Sequence, residues 1–161
     1  MAVTISRYNH TLNMKNKAEI DWDSMKVMLL ADSATFDRTD ATLDDVAGVE
    51  EGELLERAHE VYGNGWAQGG ILIEAATWSA VAADLDTYPN DSMLDADDVS
   101  ETATGGPIGP ARKAVIYDSA HEDLVPLFFI DFGEDQQAGE DTDFKIVWSS
   151  NGIYRERDYP A

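Results

Sequence analysis

The stretch Ala111–Trp148, ARKAVIYDSAHEDLVPLFFIDFGEDQQAGEDTDFKIVW, decides the fold. Three apolar, β-prone runs stand in it: Ala114–Tyr117, Leu127–Phe132 and Phe144–Trp148. Acidic, glycine-containing connectors separate them, the pattern of consecutive antiparallel strands joined by solvated turns. Alternation places Leu127, Phe129 and Asp131 on one face of the middle run and Phe128, Ile130 and Phe132 on the other. Both faces are apolar near the centre, so the run reads as a central strand covered on both sides.

Working upstream, Lys26–Leu30 (KVMLL) is a nearly continuous apolar run and reads as a buried strand. Ala2–Leu12 alternates weakly and reads as an edge strand or an N-terminal arm. Asn13–Asp23 is polar and turn-like. Thr42 followed by Leu43, Asp44 and Asp45 resembles a helix start, with acids where the helix dipole favours them. Glu50–Tyr62 reads as a short amphipathic helix, or as a connector with a strand beginning near Glu60. Gly63–Gly70, GNGWAQGG, holds four glycines in eight residues and calls for a tight hairpin or bulge. Ile71–Trp78 reads as one strand, Ala80–Asp91 as an acidic loop, and Ser92–Asp95 and Val99–Thr102 as two short strands about a DADD turn. Thr104–Pro110 reads as a rigid loop, because its prolines cannot serve a central ladder. Gly152–Tyr154 is a candidate last strand.

About eight short strands with turn signals roughly every ten residues predict a mainly β chain. The expected architecture is an antiparallel β-sandwich or barrel-like domain with one or two short helices. The expected organisation is a single domain over residues 1–161, with an N-terminal arm (1–23) and a C-terminal tail (155–161).

The charge balance restricts partners. There are 32 acidic against 11 basic residues, a net charge of −21. Such a field repels nucleic acid and anionic membrane surfaces, so direct contact with either is not expected. With no cysteine, disulfides, zinc–thiolate sites and cysteine nucleophiles are excluded. The N-terminal residues lack an apolar run of signal-peptide length, which predicts synthesis in the cytoplasm.

No catalytic or cofactor signature emerges. His10, His59 and His121 lie in polar stretches without ligand spacing and read as exposed surface histidines. Two acidic clusters, Asp95/Asp97/Asp98 and Glu134/Asp135/Glu140/Asp141/Asp143, contain calcium-type ligands but do not fit the EF-hand pattern. They read as solvated turns. No G-x-S-x-G elbow, phosphate-binding lysine loop or dinucleotide fingerprint is present. The expected catalytic, metal and cofactor assignments are therefore none. Of the tryptophans, Trp148 reads as core and Trp66, in its glycine-rich turn, as an interface residue.

The segments KVMLLADSATFD (26–37), GNGWAQGG (63–70), LDADDVS (94–100), TATGGPIGPARKAVIYD (102–118) and PLFFIDFGEDQQAGEDTDFKIVW (126–148) together resemble a family of small structural proteins of tailed bacteriophages. The resemblance runs from about Tyr8 to Ile153. It implies a virion component without enzymatic activity, most similar to head decoration (cement) proteins, which bind the outer surface of an assembled shell. The implied partner is the major capsid protein, and the implied state is a homo-oligomer, a trimer among the options, on the capsid surface. A tail, baseplate or fibre component, with calcium assisting contact to the host surface, is the rival within that reading. The residues expected to meet the partner are Val3, Ile5, Tyr8, Asn64, Trp66, Gln68, Tyr154 and Tyr159. They come from the arm, the glycine turn and the tail, where chain orders most readily against a partner.

Overall fold

The computed structural model describes residues 3–52, 56–81 and 91–156. Its centre is a six-stranded antiparallel sheet built on two long strands, β8 (Ile108–Asp118) and β9 (Val125–Ala138). The edge strand β1 (Thr4–Arg7) pairs with β9, in register Thr4 with Asp131 to Arg7 with Phe128. On the other side β8 pairs with β2 (Met25–Leu30), and β2 with the two-residue strands β3 (Glu60–Val61) and β4 (Ile71–Leu72). Two smaller sheets face it. One pairs β7 (Val99–Thr102) with β10 (Asp143–Ile146). The other orders β11 (Tyr154–Glu156), β6 (Ser92–Asp95) and β5 (Thr77–Ala80). The chain is thus mainly β and sandwich-like, with two short α-helices among the described residues.

Apolar burial explains the layering. Val27, Leu29, Ala114, Ile116, Phe128, Ile130 and Phe132 point from the main sheet into one cluster, met by Leu94, Val99, Phe144, Ile146 and Ile153 from the facing strands. Met28, Leu30, Val115, Tyr117 and Phe129 point the other way, under Leu43, Val46, Ala47 and Tyr8. Phe36 covers Phe129 there, with ring centres 5.5 Å apart. The middle strand is covered on both faces, as its apolar runs require. Leu127 departs from the alternation. It packs into the larger cluster, beside the irregular pairing between Ile116 and Tyr117.

Helix α1 (Asn9–Asn16) replaces the expected polar turn. Its sequence has weak helical character, and tertiary bonds hold it. Thr11 Oγ1 donates to Leu127 O at 2.9 Å, and His10 Nε2 donates to Pro126 O at 2.6 Å. Helix α2 (Leu43–Ala47) follows the predicted start. Thr42 and Asp45 form a reciprocal capping box, and the Thr42 and Ala41 N–H groups hold the exposed Asp45 carboxyl below its ordinary range.

Five expectations are corrected. The third run of the opening stretch does not continue the meander, since β10 pairs with β7 and not with β9. Ile71–Trp78 is two strands in two sheets, β4 and β5, separated by a turn with Ala75 at φ +55°. β6 and β7 both form but do not pair with each other. The helix over Glu50–Tyr62 is not seen in the described part. Glu51 bridges Glu56, β3 begins at Glu60, and Leu54 and Leu55 lie outside the described residues. Finally, Pro110 lies within β8. It is tolerated because the ladder to β9 is interrupted between Ile108 and Ala111, where no proline N–H is required.

Candidate partner-binding groove

An apolar groove lies where the described strands do not close the sandwich along one side. β1 is only four residues long, so its pairing with β9 stops at Asp131. Past that point β9 bends. Gly133 takes φ +80°, its N–H donates to Asp131 Oδ1 at 2.8 Å, and its carbonyl accepts from Arg112 Nη2 at 2.8 Å. The outer half of β9, Phe132–Ala138, has a strand only on its β8 side among the described residues.

The turn after β9 explains the second open edge. Thr142 Oγ1 donates to Gly139 O at 2.6 Å, and Asp141 adopts φ +63°. Asp141 N donates to Ala103 O and Ala103 N to Thr142 O, each at 2.8 Å. The turn therefore delivers the chain to the end of β7 rather than back onto β9. Thr102 Oγ1 then donates to Asp143 Oδ1 at 2.8 Å, which holds that exposed carboxyl below its ordinary range. At the far end, Trp148 N donates to Asp98 Oδ1 and Trp148 Nε1 to Asp97 O, both at 2.9 Å. β10 is fixed at both ends along β7, and its other edge has no strand partner among the described residues.

Between these edges lies a groove of about 420 Å³. Ile5 of β1, Ile130 and Phe132 of β9, and Phe144 and Ile146 of β10 make its apolar floor. Val3 and Val147 at the rim are 58% and 67% exposed, high values for valines in a chain with a well-filled core. Glu134 and Lys145 also line it. Lys145 is already engaged by Asp143 at 3.4 Å, whereas no ion pair reaches Glu134, Asp135, Glu140 or Asp141 among the described residues. Among the described residues the groove thus combines an apolar floor, two free strand edges and one unpaired carboxylate, Glu134.

The expected interface residues are divided by this geometry. Val3 and Ile5 lie in the groove. Tyr154 is half-buried, its ring 5.2 Å from that of Phe128 and under the Arg7 guanidinium. Tyr8 and Trp66 are corrected: both are buried, at 0% and 2% exposure, and are not available to a partner. Tyr8 fills the second cluster, where burial raises its hydroxyl pKa. Trp66 packs edge-on against Phe144, because its turn folds inward over the core. Asn64 and Gln68 are exposed on the opposite flank, Asn64 donating to Pro107 O at 2.7 Å. Tyr159 lies outside the described residues. Sequence reasoning missed Phe132, Glu134, Val147 and Trp148 as groove residues. Val147 offered a signal: on a strand whose Phe144 and Ile146 point inward, alternation sends this valine outward.

Other candidates resolve into supports. The three histidines are half-buried rather than exposed, each in a local bond: His10 to Pro126 O, His59 Nδ1 with Ser33 Oγ at 2.8 Å, and His121 Nδ1 accepting from Asp123 N. Neither acidic cluster gathers three ligands around a common point among the described residues. Trp148 is half-buried against the core. On the flank opposite the groove, Arg57 is buried and donates to Asp44 Oδ1, to Gly48 O at 2.7 Å and to Glu50 Oε1 at 3.1 Å. Beside it Glu60 Oε1 accepts the Gly69 N–H at 2.5 Å, and the Tyr117 hydroxyl donates to Gly69 O. Burial raises the Glu60 carboxyl above its ordinary range, and burial with the nearby Glu60 charge pushes Tyr117 up to about 12. Both polar groups bond the turn backbone, so this set braces the turn.

No family model, no curated protein and no solved structure matches this chain.

Proposed function

We propose that the chain is a non-enzymatic structural protein of a tailed-phage virion, a decoration protein that binds the outer surface of the major capsid protein shell and stabilises it. The observation that carries a binding role is the groove: an apolar floor between two free strand edges, rimmed by exposed Val3 and Val147. The particle is supplied by the sequence resemblance over Tyr8–Ile153. The physical logic is mass action. A domain that binds assembled shell and not its dissociated subunits raises the cost of rupture, as any ligand of one state stabilises that state. A net charge of −21 also favours dispersed particles.

The test is copy number and location. The protein should be abundant in purified virions, and purified full-length protein should bind expanded shells that lack tails and raise their rupture temperature. Recovery only in tail fractions would overturn the decoration reading and favour the tail, baseplate or fibre alternative.

A further inference from the structure

We infer that the groove between β1/β9 and β10 is closed by strand addition from a partner. The added segment is extended, apolar at alternate positions, and carries lysine or arginine at its flanks. The identification of that partner as a shell subunit rests on the function proposed above; the chemistry of the segment does not.

Three observations converge on this occupant. First, among the described residues, the half of β9 beyond Asp131 and the outer edge of β10 have no strand partner at the groove. Unpaired backbone N–H and C=O groups along an edge template another strand, and main-chain bonds supply affinity whatever the side chains. Second, the floor is a core surface that no described residue covers. Ile130, Phe132, Phe144 and Ile146 already belong to the larger cluster, so inward side chains of an added strand would extend that cluster. Alternation is required because only every second side chain of a strand faces the floor. Third, the rim selects charge. Of the two charged residues that line the groove, Glu134 has no ion pair among the described residues and Lys145 is held by Asp143, and the chain as a whole carries −21. Basic flanks meet this rim favourably. A second copy of the chain, at −21, meets it with repulsion.

The probe is a synthetic peptide of alternating valine and threonine flanked by lysines. It should bind the full-length protein, change Trp148 fluorescence and shift the amide resonances of Val3, Phe132, Ile146 and Val147. Affinity should fall as salt rises. The same core flanked by glutamates, or bearing a central proline, should bind at least about tenfold more weakly, as should the lysine peptide with Val147→Glu. Val147 is exposed, so this variant should fold, and an unchanged unfolding midpoint checks that it does.

Equal binding of the lysine and proline peptides would overturn strand addition. Equal binding of the lysine and glutamate peptides would overturn the charge assignment. Self-association that Val147→Glu abolishes would make the occupant a second copy and overturn the inference. Shell binding separates the two proposals. Shells bound equally by wild type and Val147→Glu would reject the groove and leave decoration standing. Peptide bound in the groove with no binding to shells would reject decoration and leave the groove standing.

Discussion

The two flanks of the six-stranded sheet are finished in opposite ways. On the β2 flank the glycine turn folds against the sheet so closely that a side chain has no room. A Cβ on Gly70 would fall 2.3 Å from Val27 O in β2, and one on Gly65 would fall 2.4 Å from Thr102 O in β7 of the facing sheet. Trp66 between them is buried, Glu60 and Tyr117 bond the backbone of the turn, and Arg57 ties Asp44, Gly48 and Glu50 together beside it. On the β1 flank a four-residue edge strand stops early and exposed valines border a groove. Sheet edges are a hazard that proteins usually cover. Among the described residues the chain covers one flank with its own backbone and leaves the other as apolar surface between free edges, which is why the proposed partner site is placed there.

Breaking the closed flank should cost most. Trp66→Ala removes a large side chain packed on Phe144 and should destabilise by about 3–5 kcal/mol in urea unfolding. Gly70→Ala should cost about 2–4 kcal/mol by the same measurement, from positive φ together with contact against backbone. Arg57→Ala should cost about 1–2 kcal/mol. Its guanidinium is buried, but its carboxylate partners are nearly half exposed and rehydrate when it is lost.

Glu60→Gln sharpens the comparison through pH. The Glu60 carboxyl has a folded pKa raised above its unfolded value, so its ionised form is disfavoured in the native state. The native state holds that proton over the window between the two values, and stability falls as pH rises through it. Gln keeps an acceptor for the Gly69 N–H without the charge. The variant should match or exceed wild type at neutral pH and lose that advantage as pH falls through the window, in thermal melts across a pH series. The smallest effect belongs to the open flank: Val147→Thr should change stability by no more than about 0.5 kcal/mol, since the residue is exposed. A large loss there would mean that the groove is part of the core rather than a surface awaiting a partner.

Legibility in the sequence followed the range of the interactions. β2, β8 and β9 were readable because their apolar runs are long and continuous, and such runs need cover on both faces. The α2 start was readable because Thr42 and Asp45 satisfy backbone donors within their own turn. Helix α1 was not, because Thr11 and His10 reach carbonyls of Leu127 and Pro126, more than a hundred residues away. Of the groove, only the β1 border was named, through Val3 and Ile5. The β10 half was missed because the partner of a four-residue strand is a non-local choice, decided here by the Gly139–Thr142 turn bonding to Ala103.

The sequence by itself determined that this is a mainly β, strongly acidic chain with a central strand apolar on both faces, because hydrophobic period and net charge are local and additive properties. Tertiary structure alone decided which strands pair, that Trp66 turns inward, and that, among the described residues, the open edges of β9 and β10 border one groove. Strand edges have no side-chain pattern of their own; whether one is left open depends on where every other strand has found its partner.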